Sequence, residues 1–313
     1  MQEPAGVKPN LFIVGQPKSG TSALFSFLKG HPDVGVCSTK EPQYFCKDIN
    51  SQYFHLSNQA RNDENYLKLF AHCGKRKVIL EASTAYLFSR VAAGEIRKFN
   101  PDARIIMMLR EPVDFLFTYH TQMLRTSCTF EEVEDFMTAM ELEPARKAGR
   151  RIPGNCFDPQ FLYYSDRVRY TEQIERYRKV FPAEQLKIII HDDFKADNEV
   201  VYDDVAAFLG LDPAYRPQFK TINAKVGVRF RRLKQASDQW LFPVKQWIRP
   251  RLPAGLYKAG RSLYRRVFFR QKGLPTLHPR DKVVLMRRYK DEVARLSACV
   301  GRDLTALWGY DRI

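Results

Sequence analysis

Residues 11–15 read LFIVG, a short apolar run, and the chain continues as Gln16-Pro17-Lys18-Ser19-Gly20-Thr21-Ser22 before a helix-like stretch from Ala23 to Lys29. A five-residue apolar run bounded by turn signals is the pattern of a parallel strand buried on both faces. The helix pattern stops at Gly30-His31-Pro32, where glycine and proline end it. Strand, small-residue loop and helix in this order can hold a phosphate on backbone N–H groups at a helix N-terminus. An ordinary strand-to-helix turn with a surface lysine satisfies the same seven residues.

The rest of the chain repeats the alternation. Further strands are expected at Val34–Cys37, Val78–Ala82, Arg104–Leu109 and Leu186–His191. Amphipathic helical runs lie at Tyr66–Cys73, Pro112–Arg125, Arg167–Val180 and Val200–Leu209, the last ended by Gly210. Strands alternating with helices predict an α/β fold with a central, mostly parallel sheet flanked by helices. After Thr221 the pattern changes to irregular aromatic and basic residues, followed by a long helix from about Arg280 to Cys299. The expected organisation is one domain over residues 1–313, with an α/β core at 11–221 and a basic, mostly helical C-terminal portion at 222–313.

Composition narrows the setting. Of 313 residues 44% are hydrophobic, which excludes disorder as the dominant state. No apolar run approaches the roughly 20 residues that span a bilayer, and Met1 to Asn10 lacks the pattern of a signal peptide. Six scattered cysteines, with no Cys-x-x-Cys pair, predict reduced, buried thiols and a cytoplasmic protein. The net charge of +16 is concentrated: residues 225–290 hold 19 Lys and Arg against Asp238 and Asp281, leaving the remainder with 32 basic and 33 acidic residues. An anionic partner is expected at that segment.

The Arg104–Leu109 strand leads into Arg110-Glu111-Pro112 and a helix. A nucleotide triphosphatase needs a carboxylate at such a strand end to hold Mg²⁺, whereas this strand ends in a fixed positive charge. The first loop departs in the same direction: it is like a Walker A sequence, but Lys18 precedes Gly20. Arg110 suits a second anionic group, since guanidinium meets such oxygens as a two-pronged donor. Thr118, eight residues on, offers a hydroxyl two helical turns into the next helix.

LFIVGQPKSGTSAL resembles the 5′-phosphosulfate loop of sulfotransferases, and RIIMMLREPVDFLFTY resembles their 3′-phosphate-binding strand and helix. The resemblance continues through Val168-Arg169-Tyr170, Phe181-Pro182 and Phe208-Leu209-Gly210, and it is greater to bacterial and heparan-type carbohydrate sulfotransferases than to phenol and steroid enzymes. It implies a P-loop-like three-layer fold and 3′-phosphoadenosine 5′-phosphosulfate (PAPS) as sulfuryl donor, with no metal. It also implies roles. Pro17, Lys18, Ser19, Gly20, Thr21 and Ser22 would hold the 5′-phosphate, with Lys18 on the bridging oxygen. Arg110 and Thr118 would hold the 3′-phosphate; the family usually has serine at the latter position. Tyr170 would lie near the nucleotide, and Lys272 in Gln271-Lys272-Gly273 would close over it.

Glu41, within Lys40-Glu41-Pro42-Gln43-Tyr44-Phe45, stands where heparan-type enzymes carry a catalytic glutamate and is the candidate base; a salt-bridged loop acid is the alternative. Glu81 and Tyr86 in Glu81-Ala82-Ser83-Thr84-Ala85-Tyr86, and His120 in the helix after Arg110, are candidate acceptor contacts, with packing as the alternative for Tyr86 and His120. Where Ala82 stands, heparan-type enzymes often have a lysine.

The acceptor expected from the resemblance is a carbohydrate, a glycolipid or a small natural product. Trp240-Leu241-Phe242, Trp247-Ile248, Leu256-Tyr257 and Val267-Phe268-Phe269 alternate with basic residues. They fit a groove for an acidic sugar chain, an anionic membrane surface contacted peripherally, or a packed cover. No nucleic-acid partner is expected, because no recognised module accompanies the charge. Two other functional classes compete: a P-loop small-molecule kinase, and a non-catalytic binder of acidic glycan or membrane.

Overall fold

The computed structural model describes residues 7–49, 62–125, 131–154, 156, 158–219 and 276–313, with a few positions between 227 and 270. Five strands form one sheet: β1 (Leu11–Gly15), β2 (Val34–Val36), β3 (Val78–Ala82), β4 (Arg104–Leu109) and β5 (Leu186–Ile190), in the order β2-β3-β1-β4-β5. All four pairings are parallel, as the alternation of strands and helices implies. Leu11 stands opposite Leu80 of β3 and Arg104 of β4, which places β1 at the centre. From β1 the chain moves to β2 and β3 on one side, then crosses to β4 and β5 on the other. Ligands of open α/β sheets bind at the carboxyl ends of strands where the order reverses in this way, here between β1 and β4.

The helices are α1 (Thr21–Lys29), α2 (Asp63–Lys68), α3 (Ala92–Phe99), α4 (Pro112–Met123), α5 (Phe136–Glu141), α6 (Glu143–Lys147), α7 (Tyr164–Arg167), α8 (Tyr170–Arg178), α9 (His191–Ala196), α10 (Asn198–Leu209), α11 (Pro279–Val300) and α12 (Leu304–Trp308). Several differ from the apolar pattern for local reasons. The Arg167–Val180 run is two helices, because Arg169 leaves the helical region at φ −77°, ψ 60°. The Gln173 amide donates to the Asp166 and Arg167 carbonyls that the break leaves over (3.0 and 3.2 Å). Asn62 and Asp197 accept from backbone N–H groups of the first turns of α2 and α10, so those helices begin before their apolar pattern does.

The chain divides into two compact units. One comprises 1–116, 164–222 and 283–313 and contains the five-stranded sheet; the boundary falls within α4 and near the start of α11. On one face of its sheet, Leu11, Ile13, Leu80, Ile106, Met108 and Ile189 pack with Leu24, Phe27 and Leu28 of α1 and with Val201, Tyr202 and Val205 of α10. On the other, Phe12 meets Phe45 edge to face (5.9 Å), and Phe45 also meets Tyr66, Tyr86 and Phe99. Alternation along β1 thus feeds an aliphatic layer and an aromatic one.

The other unit comprises 117–163 and 223–282. Its α5–α6 segment is built around Arg146, whose guanidinium meets both oxygens of Glu131 at 2.8 Å with both side chains buried. Gly227–Val228 (β6) pairs antiparallel with Phe269–Arg270 (β7). Most of the basic aromatic segment, including Trp240–Phe242, Trp247–Ile248, Leu256–Tyr257 and Phe268, lies outside the described residues.

The thiols differ in part from expectation. Cys37, Cys46 and Cys73 are buried and free, but Cys156 and Cys299 are half-buried, and Cys128 lies outside the described residues. Burial pushes the Cys37 thiol up to about 12. No helix among the described residues is long and apolar enough to cross a membrane.

Candidate functional site

The loop after β1 carries the first group of candidates. Gly20 precedes α1 in the left-handed region (φ 94°), and a Cβ there would come within 2.8 Å of the Phe194 ring. Only glycine allows the backbone that approach. Gly20 gives α1 no side-chain cap, and no acid stands in the first turn, so the positive end of the helix is left uncompensated by its own residues. Ser19 is fully buried, and its hydroxyl has no hydrogen-bond partner. Thr21 is buried, Ser22 and Pro17 are partly exposed, and Lys18 is exposed.

Lys18 itself is left-handed at φ 64°, a conformation that costs a non-glycine residue about 1–2 kcal/mol. Three neighbours hold the loop. The Gln16 N–H donates to the Met108 carbonyl (2.7 Å), and its amide donates to the Arg167 carbonyl (2.7 Å). From the end of β4, the Arg110 guanidinium donates to the Lys18 carbonyl (3.2 Å). The two segments that the sequence singled out separately therefore meet. Arg110 is in turn fixed by Tyr170, whose hydroxyl donates to the Arg110 carbonyl (3.0 Å). Tyr170 is fully buried, with its ring against Phe115, which leaves no ring face open to stack on a base.

Glu41 lies across β3 from this loop. Its N–H donates to the Ala82 carbonyl (3.2 Å), and its backbone is left-handed (φ 57°). The carboxylate is half-buried; the Thr84 hydroxyl donates to Oε2 (3.2 Å), and the Lys40 ammonium is 3.9 Å from Oε1. Burial raises the Glu41 pKa, while Lys40 and the Thr84 hydroxyl oppose the rise. Lys40 also donates to the Ser22 hydroxyl on α1 and so links the phosphate-type loop to the candidate base.

All three candidate acceptor contacts are buried. Glu81 and Tyr86 are fully buried in the aromatic layer, where Tyr66 (2.5 Å) and Tyr86 (3.0 Å) donate to the Glu81 carboxylate. Glu81 faces that layer because it alternates with Leu80 and Ala82, which pack on the α1 side. The alternative held for Tyr86, core packing, is the one the structure has. His120, in the second unit, is buried against Phe136 with Nε2 2.8 Å from the Val133 carbonyl, again a packing position. Thr118 is partly exposed on α4 in the same unit, and Lys272 lies outside the described residues.

Three groups near the site went unread in the sequence as site residues: Lys40, Thr84 and His191. His191 follows β5, and its pKa is lowered by burial and then by the Arg110 charge. It comes immediately after β5, the strand that adjoins β4, and that adjacency is not readable from sequence.

A family model described as the sulfotransferase domain matches residues 8–226. A human bifunctional heparan sulfate N-deacetylase/N-sulfotransferase 3 is 27% identical over 215 residues, covering 66% of this chain and 23% of that protein. A mouse heparan sulfate glucosamine 3-O-sulfotransferase 5 is 27% identical over 212 residues, covering 66% of this chain and 54% of that protein. The chain thus matches about a quarter and about half of the length of these relatives. The crystal structure of a sulfotransferase from Alicyclobacillus acidocaldarius superposes with a TM-score of 0.69 at 26% identity, covering 96% of this chain and 98% of that one.

Proposed function

The chain belongs to the sulfotransferase domain family, and from that premise we propose that it transfers a sulfuryl group from PAPS to a hydroxyl or amine of a carbohydrate acceptor. The observation that carries this reading is the junction of the β1 loop with the end of β4, where the Arg110 guanidinium holds the carbonyl of Lys18. The donor fits the residues present: the uncapped start of α1, the close approach at Gly20 and the unpartnered buried Ser19 hydroxyl are all suited to a phosphate.

Bound PAPS would supply the sulfuryl group, whose S–O bond to the 5′-phosphate breaks as the acceptor oxygen or nitrogen bonds to sulfur. Pro17 to Ser22 would surround the 5′-phosphate with backbone and hydroxyl donors. Lys18, on the exposed side of the loop, would neutralise the charge that gathers on the departing phosphate. Arg110 and Thr118 would bind the 3′-phosphate, and Tyr170 would serve by fixing the Arg110 backbone. Glu41 would accept the acceptor's proton at its carboxylate; its raised pKa brings it nearer the range in which a base works at neutral pH. Lys272 would close over the nucleotide.

A glucosamine-bearing sugar is the acceptor favoured, since both curated relatives named above carry heparan sulfate in their names. An anionic membrane contact through residues 225–290 and a cytoplasmic setting belong to the same reading, supported by charge and by free thiols. Calorimetric titration with 3′-phosphoadenosine 5′-phosphate, without Mg²⁺ and with ATP as control, tests the donor site. Saturable binding of the bisphosphate in preference to ATP is expected; preference for ATP with Mg²⁺ would restore the kinase reading, and heparin or liposome binding without nucleotide binding would favour a non-catalytic binder.

A further inference from the structure

The segment 302–310 lies beyond the family-model match, yet it holds the acids that directly follow the ends of β4 and β5. Glu111 comes immediately after Arg110. Its carboxylate accepts from the Val113 and Asp114 N–H groups at the start of α4 (3.0 and 2.6 Å) and from the Tyr310 hydroxyl, with both side chains buried. In the first turn of α9, just after β5, the Asp192 carboxylate accepts from the Trp308 indole N–H (3.0 Å). Asp193 is met by both arms of the Arg302 guanidinium, one at 2.9 Å. Gly309, left-handed at φ 75°, turns the chain between the two aromatic residues.

Three carboxylates so close to an anion site would repel the ligand and compete for the Arg110 charge unless other donors engage them. Here each has one from the C-terminal segment. Arg110 itself donates to a carbonyl, a neutral acceptor, so its charge remains available to an anion. Tyr170 holds the Arg110 backbone carbonyl, and Tyr310 holds the side chain of the next residue, Glu111.

We infer that Tyr310 and Trp308 are positioning residues for the 3′-phosphate: through Glu111 and Asp192 they hold the ends of β4 and β5 so that Arg110 faces the ligand. The inference rests on the donor reading above. It predicts an effect confined to ligands that carry a 3′-phosphate, which a merely structural role would not produce.

The test uses the full chain with Tyr310→Phe or Trp308→Phe, each keeping an aromatic ring and losing the donor. Affinities for 3′-phosphoadenosine 5′-phosphate and for adenosine 5′-monophosphate are measured by calorimetry, alongside Tm. For one lost hydrogen bond to a carboxylate, a weakening of about 5- to 30-fold is expected for the bisphosphate, with the monophosphate changed less than about twofold. Equal weakening of both ligands, or none, overturns the inference while leaving the donor reading intact. If the unmodified chain binds neither nucleotide, the donor reading falls and this inference falls with it.

Discussion

The Arg110 guanidinium donates to the carbonyl of Lys18 at 3.2 Å, joining the end of β4 to a left-handed residue in the loop after β1. The contact uses Lys18's backbone, and the Lys18 side chain is exposed. The two cations should therefore fail differently when removed. Lys18→Ala should lower kcat by about 10²–10³, the size of a lost charge-stabilising donor in a transition state, with little change in the KM for PAPS. Arg110→Ala should chiefly raise that KM, since it removes a contact made equally before and during transfer. Steady-state kinetics separates the two; equal, small effects from both would contradict the assigned roles.

Glu41 should set the acid limb of the pH–rate profile. Its raised pKa means that the base form is lost as pH falls through a value above the ordinary glutamate range. Lys40 opposes the rise, so Lys40→Met should raise the Glu41 pKa further and move the acid limb of kcat/KM to higher pH. Thr84→Val removes a hydrogen bond to the carboxylate and should shift it the same way. Glu41→Gln should abolish the limb together with most of the activity. A limb that stays in place when Lys40 or Thr84 is changed would argue for a different base.

The five strands were legible to within a residue, because each is a short, mostly apolar run bounded by turn signals. The β1 loop and Arg110 could be singled out as candidates because each is a short contiguous segment with its own chemistry. Lys40, Thr84 and His191 were not, since their place depends on the order β3-β1-β4-β5, which no local pattern specifies. The burial of Glu81 and Tyr86 was not legible for a related reason. A polar residue at a strand end next to the site can face either side of the sheet, and here Glu81 points into the aromatic layer. The split between α7 and α8 was hidden because the Gln173 contacts that cap it reach backward across the break.

Gly20→Ala tests the loop's backbone directly. A methyl group there would lie 2.8 Å from Phe194 Cδ1 and 3.2 Å from Met108 Cε, at a φ of 94° that alanine resists. Both atoms belong to the packed face of the sheet, so relief requires core movement and not merely a surface side-chain turn. The expected cost is about 1–3 kcal/mol of stability, read as a lower Tm. Binding of 3′-phosphoadenosine 5′-phosphate should weaken as well, because the shifted backbone carries the donors at the start of α1. Unchanged Tm and unchanged binding would mean that the loop is far more yielding than its contacts imply.

Glu81 makes stability depend on pH in a window where most proteins are insensitive. Burial pushes its pKa up to about 7, against hydrogen bonds from Ser83, Tyr66 and Tyr86 that pull it down. The unfolded chain titrates near the ordinary glutamate value, so between that value and about 7 the native state holds a proton the unfolded state has released. Stability therefore declines as pH rises through this window and is level above it, by about 1.4 kcal/mol per unit and roughly 3 kcal/mol in all. Glu81→Gln cannot ionise and keeps an oxygen to accept from the two tyrosines. Its Tm, measured relative to the unmodified chain, should rise from pH 5 to about pH 7 and then level off. Parallel Tm curves across that range would show that Glu81 is not the group that carries the proton.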